Sequence, residues 1–148
     1  MLYFDTSILT PLVLPEATGA AVEAFMRNVA ADEWSTSQWA LVEFASLAAK
    51  HVRLGNIRDD EARDAVTRYD GLLASSFKLF LPSVEDFTLA KRYLGHFETG
   101  LRGGDALHLA IAVSNGARVV YTLDKPMLKA CRLLKIDGRA GIDWPGYN

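Results

Sequence analysis

The chain has 148 residues, half of them hydrophobic and 23% charged, with a formal net charge of −2. That is globular composition with length enough for one sizeable core, and it excludes a disordered chain and a generally basic nucleic-acid binder. One cysteine, Cys131, excludes an internal disulfide, and no apolar run reaches the roughly 18 residues of a spanning helix.

Leu2–Asp5 is a short apolar run ending in an acid, a buried strand with Thr6-Ser7 opening a helix behind it. The acidic start MLYFDTS lacks the bases of a signal peptide, so the expected location is the cytoplasm, with no membrane partner. Pro15 interrupts, and Glu16 to about Ala31 has helical spacing in Val22, Phe25, Met26 and Val29. Trp34–Thr36 reads as a second strand. Ser35 with Gln38 resembles a capping box for a helix running to about Leu54 and stopped by Gly55. Arg58 to Ser76 is a helix with a solvated face, and Lys78–Leu81 is a strand closed by Pro82. Ser83 with Asp86 repeats the capping signature for a helix to about Phe97. Gly103-Gly104 opens a nearly all-apolar helix, Asp105–Ser114, ended by Asn115-Gly116. Arg118–Leu123 is a β-branched, aromatic-rich strand, and Lys125–Leu134 a closing helix. Strands alternating with helices make an α/β domain, residues 1–148, with a parallel sheet covered on both faces. Sites in such sheets form outside the carboxyl ends of the strands.

Four acids fall near that edge. Taken alone, Asp5 and Asp124 read as helix N-caps and Asp105 as a first-turn charge suited to the helix dipole. Glu43 is different, because its window WALVEFASLAA holds no other charge. A buried, lone carboxylate is protonated, paired with a distant Arg or Lys, or bound to a cation. Taken together, the four carboxylates point into one cavity, where like charges raise one another's pKa unless positive charge intervenes. Oxygen ligands without a His or Cys cluster suit Mg²⁺, with Mn²⁺ as substitute, and such ions serve phosphoryl chemistry.

The segments DTS at 5–7, LVEF at 41–44, LRGGDALHLAIA at 101–112 and TLDKPM at 122–127 resemble the PIN domain, and more narrowly the VapC-type toxins of toxin–antitoxin pairs. The resemblance spans essentially the whole chain. It implies a Rossmann-like three-layer α/β/α fold with a mostly parallel sheet and an Mg²⁺-dependent endoribonuclease. The family's acids fall on Asp5, Glu43, Asp105 and Asp124. Its hydroxyl after the first acid falls on Ser7, and Thr122 stands where a small polar residue lines the site. Arg102 falls on a basic position before the third acid. Many relatives carry a further acid after the fourth, where this chain has Lys125, Pro126 and Met127, so a second metal held wholly by protein is in doubt. A small antitoxin partner and a homodimer are also implied.

Arg102 and Lys125 are expected to contact RNA phosphates, which positions a substrate without reading its sequence. His108, one turn after Asp105 on the same helix face, could reach the site, with a core histidine bonded to backbone as the favoured reading. Trp34, Trp39 and Phe44 read as one aromatic cluster around the second strand and its helix. Some of it is a candidate groove for a partner peptide, with Leu12, Leu14 and Phe25. A PIN-like module that binds RNA or protein without cutting is the alternative function. A receiver-type phosphoacceptor is disfavoured, because Asp5 is followed by Thr-Ser rather than a second acid.

Overall fold

The computed structural model describes residues 1–147. Strand β1 (Leu2–Phe4) sets the layers, because successive side chains of a strand face opposite ways. Tyr3 and Phe4 are both fully buried, each in a different core. The other strands are β2 (Trp34–Ser37), β3 (Lys78–Phe80), β4 (Val119–Tyr121) and β5 (Gly138–Arg139). Their order is β3-β2-β1-β4-β5, and every pairing is parallel.

The Phe4 face is covered by α1 (Thr6–Leu9), α2 (Gly19–Arg27), α3 (Gln38–Arg53) and α4 (Asp59–Ser76). The Tyr3 face is covered by α5 (Val84–Leu94) and α6 (Gly103–Ser114). Helix α7 (Lys125–Leu134) gives Met127 and Cys131 to the Tyr3 core and Leu128 to the other. The expected α/β/α sandwich is what forms. Strand order runs outward from β1 in both directions, so the crevice between the carboxyl ends of β1 and β4 is a topological switch point.

Several boundaries differ from expectation for local reasons. Helix α2 is shorter than the Glu16–Ala31 periodicity, since it starts at Gly19 and ends at Asn28, whose side-chain amide donates to the Ala24 carbonyl at 2.8 Å. Helix α5 stops at Leu94 before Gly95, and Phe97–Thr99 is a separate 3-10 turn. Ser35 caps nothing: it lies inside β2, and its hydroxyl donates to the Leu2 carbonyl at 2.8 Å. Ser37 takes the cap position of α3, but makes no capping bond with its side chain. Ser83 and Asp86 do form a reciprocal capping box. The aromatic residues around β2 and α3 are not one cluster. Phe44 stacks on Tyr69 and Trp34 packs on Phe77 in one core, whereas Trp39 lies against the other.

Candidate active site

Asp5 leaves the end of β1 and caps α1, as its isolated reading expects, but its carboxylate does more than cap. Oδ1 accepts the Ser7 hydroxyl at 2.7 Å and the Ile8 amide at 3.2 Å, and Oδ2 accepts the Thr122 hydroxyl at 2.7 Å. The β1–β4 register produces the last contact, since Phe4 stands opposite Tyr121 and the next residues on each strand meet beyond the ladder. Ser7 and Thr122 also secure the backbone of the fourth acid's loop. Ser7 accepts the Leu123 amide at 2.8 Å, and Thr122 accepts the Asp124 amide at 3.0 Å. Burial pushes the Asp5 pKa up, against the charge of His108 and the bonds from Ser7, Thr122 and Ile8. Both hydroxyls named from the sequence therefore grip Asp5 and aim its neighbour.

Asp124 caps α7, accepting the Met127 amide on Oδ1 at 2.8 Å. Asp105 is half-buried in the first turn of α6, and no hydrogen bond from another described residue steadies it. Its pKa is pushed up to about 6, first by burial and then by the charges of Asp124, Asp5 and Glu43, with Arg102 pulling the other way. The charges of all three other acids thus act on Asp105. Among the described residues, however, no three acidic, histidine or cysteine side chains converge closely enough to enclose an ion as they stand. The donor set, all carboxylate oxygen with an excess of negative charge, suits a hard divalent cation.

Glu43 departs from expectation. Its carboxylate is neither isolated nor paired with a guanidinium. Oε2 accepts the Thr6 hydroxyl at 2.6 Å and lies 2.6 Å from His108 Nε2. Burial raises its pKa, but the His108 bond and charge, Thr6 and the Trp39 indole outweigh that and hold it below the usual carboxylate range. His108 is buried as expected but is bonded to side chains, not to backbone: Nδ1 lies 2.8 Å from the Tyr3 hydroxyl. The expectation failed because an apolar helix window does not disclose what meets one of its faces from another layer. Thr6 and Tyr3 are the site-adjacent residues that sequence reasoning missed, and for His108 it favoured the wrong partner. Tyr3 signals only as a polar tip within an apolar run, and Thr6 only by following Asp5.

Arg102 is exposed at the N-cap of α6, close enough to Asp105 to oppose the rise in its pKa. Lys125 is exposed beyond Asp124, with its ammonium 5.1 Å over the Tyr147 ring. A cavity of about 330 Å³ runs beside Ser7 and Asp124, lined also by Glu16 and Tyr147.

The family model of the PIN domain matches residues 2–133. The chain belongs to the PIN-domain family. No curated protein sequence matches this PIN domain. Among solved structures it is similar to the VapC20 toxin of Mycobacterium tuberculosis, described as cleaving the sarcin–ricin loop. The identity is 19%, with 88% of this chain and 95% of that one covered and a TM-score of 0.70. FitAcB of Neisseria gonorrhoeae is 13% identical, with 95% and 98% covered and a TM-score of 0.68. VapBC-1 of nontypeable Haemophilus influenzae is 14% identical, with 95% and 98% covered and a TM-score of 0.66. At these identities the likeness establishes the shared fold. Among the described residues of the PIN domain, no helix is long and apolar enough to cross a membrane.

Proposed function

We propose that this PIN domain, read as residues 1–148, is a metal-dependent endoribonuclease acting in the cytoplasm, the toxin of a toxin–antitoxin pair. The observation that carries the reading is Asp105 at the carboxyl edge of a parallel sheet, whose proton affinity is raised first by burial and then by the charges of Asp124, Asp5 and Glu43. Such an excess of negative charge is relieved by a hard cation, Mg²⁺ with Mn²⁺ as substitute. The ion, when bound, makes a water nucleophilic at neutral pH and offsets charge on the phosphate oxygens. Asp5, Glu43, Asp105 and Asp124 would hold it.

The chain's own residues do the rest. Ser7, Thr122 and the Ile8 amide fix Asp5 in one orientation before any ion arrives, and such preorganisation saves ordering cost during reaction. The Met127 amide does the same for one oxygen of Asp124. Arg102, exposed beside Asp105, meets a substrate phosphate, and Lys125 extends the same positive rim. RNA is favoured over other phosphodiesters by the one relative described as cutting the sarcin–ricin loop. The complexes of FitAB and VapBC type among the structural relatives, two of them bound to DNA, support a small antitoxin partner. A homodimer completes the proposed assembly.

A second reading, a module that binds RNA or protein without cutting, has one observation in its favour. The acids do not converge to ligand distance as they stand. One pair of measurements separates the two. Calorimetric titration with Mn²⁺ is expected to give binding that Asp105→Asn abolishes. RNA cleavage is expected to need Mg²⁺ or Mn²⁺ and to be lost in Asp5→Asn with the fold intact by circular dichroism. Cleavage undiminished in excess EDTA overturns the metal mechanism. No Mn²⁺ binding at millimolar ion gives the binding module the better claim.

A further inference from the structure

Glu43 is held from both layers of the sandwich. It projects from α3 on the Phe4 face, and His108 projects from α6 on the Tyr3 face. Their 2.6 Å contact therefore crosses the carboxyl edge of the sheet. Thr6 Oγ1 donates to the same Oε2 at 2.6 Å and stands 3.2 Å from His108 Nε2, so the three groups close a triangle. An ionised carboxylate only accepts, so the ring nitrogen facing it is a donor.

The far side of the ring is fixed as well. Nδ1 lies 2.8 Å from the Tyr3 hydroxyl, which donates in turn to Ser37 Oγ at 2.9 Å. Tyr3 and His108 meet edge to face, with ring centroids 5.8 Å apart. Ser37 ends β2, Tyr3 sits in β1, and all of Tyr3, Ser37 and His108 are 1% exposed or less. The other oxygen of Glu43 is confined by backbone. A Cβ added at Gly104 would stand 2.5 Å from Oε1. A histidine buried for packing alone has no need to spend both nitrogens on a chain leading to an acid.

The geometry points to His108 as a positioning residue: through the buried series Ser37–Tyr3–His108, closed by Thr6, it binds Oε2 of Glu43 and leaves Oε1 as the oxygen turned to an ion. This role rests on the metal-dependent reading given above. It assigns the fixed oxygen to the protein and the other to ligand chemistry, which is how partners behind a ligand commonly tune a metal site.

The test compares variants that differ in where they carry a donor. His108→Gln can place an amide near the former Nε2, His108→Asn only near the former Nδ1, and His108→Leu keeps bulk alone. Calorimetry with Mn²⁺ is expected to show affinity about 10–100-fold weaker in His108→Leu, the usual cost of losing a group behind a ligand. His108→Gln should recover most of that loss and His108→Asn little of it. Tyr3→Phe, which keeps the ring, should weaken Mn²⁺ binding by a smaller factor. On RNA, kcat should follow the same ranking while KM stays within about twofold, because the lost contact is not with substrate. In metal-free protein, denaturant unfolding of His108→Leu, Glu43→Gln and the double variant should be non-additive, since the two side chains touch. Equal Mn²⁺ affinity in wild type, His108→Gln and His108→Asn, or additive unfolding, leaves His108 as packing and overturns the positioning role. Should His108→Leu fail to fold, the Gln–Asn contrast and Tyr3→Phe still decide. Wild-type protein that binds no Mn²⁺ overturns the nuclease reading and this role with it. Wild-type binding with indifferent His108 variants overturns the positioning role alone.

Discussion

Asp105 carries the electrostatic cost of the site. Its pKa in the folded chain is about 6, against 3.8 for an unperturbed aspartate, so the folded state holds its proton to higher pH than the unfolded state does. The sign follows from linkage: the associated stability is fully present below the unfolded pKa and is lost as pH rises through about 6. Asp5 shifts in the same direction, and Glu43 in the opposite one, losing its contribution only as pH falls below its unfolded value of 4.5. Metal-free protein is therefore expected to melt at a lower temperature at about pH 7.5 than at about pH 5.5. Asp105→Asn should flatten that dependence and raise Tm at neutral pH by roughly 2–5 °C. That matches about 1 kcal/mol in a domain this size, after allowing for the solvent that screens a half-exposed group. Thermal scans across pH check this, and a Tm in Asp105→Asn that falls at neutral pH refutes the account. Charge conflict is also why these acids are legible without coordinates. Glu43 in WALVEFASLAA, Asp5 and Asp124 just beyond strand ends, and Asp105 in the first turn of an apolar helix stand out in the sequence. Tyr3 and Thr6 do not, and the spacing of His108 from Asp105 allows it to reach the site without disclosing that Glu43 meets it from the opposite layer.

At the scale of elements, the start of α6 shows how a helix is shaped around a side chain from elsewhere. Ala is preferred to Gly inside a helix by about 1 kcal/mol, so Gly104 is locally unfavourable. The close approach of Glu43 Oε1, with the Trp39 indole just beyond it, accounts for the absence of a Cβ. Gly104→Ala is expected to lower thermal stability slightly despite its better helix propensity and to weaken Mn²⁺ binding about tenfold, because Glu43 must swing away from the inserted methyl and from Thr6 and His108. Calorimetry beside a melting curve reads both quantities, and unchanged affinity would mean that Glu43 has room to spare. The same reasoning explains which boundaries the sequence discloses. Helices α4 and α7 begin and end within a residue of expectation and α6 ends where expected but starts two residues earlier, at Gly103, because caps and Asn-Gly are local signals. Ser35 misleads because a strand took it first. Its hydroxyl serves the β1 backbone, a contact fixed by strand register rather than by the spacing of Ser35 and Gln38.

For the whole molecule, parallel topology is legible from the alternation of strands and helices, whereas β5 is not. It is two residues long, Gly138–Arg139, and is defined by pairing with β4 rather than by any pattern of its own. The surface bears on the proposed homodimer. Leu81, Val84 and Phe87 are 80%, 77% and 58% exposed, and Val84 and Phe87 lie one turn apart on the same face of α5. An apolar strip of this kind on a chain with a well-filled interior is characteristic of an association surface. The charges fit a two-fold arrangement. Helix α5 carries Glu85 in its first turn and Lys91 and Arg92 in its last, so two copies crossing antiparallel bring opposite signs together at each end. The proposed homodimer would use this face, which begins beyond the carboxyl end of the edge strand β3, two strands away from β1. Val84→Asp combined with Phe87→Asp should convert a dimer mass to a monomer mass in chromatography with light scattering. Mn²⁺ affinity should be retained within about twofold, because neither residue is one of the four acids or a hydrogen-bond partner of one. A wild-type chain that runs as a monomer at tens of micromolar, or a dimer indifferent to both substitutions, places the association surface elsewhere.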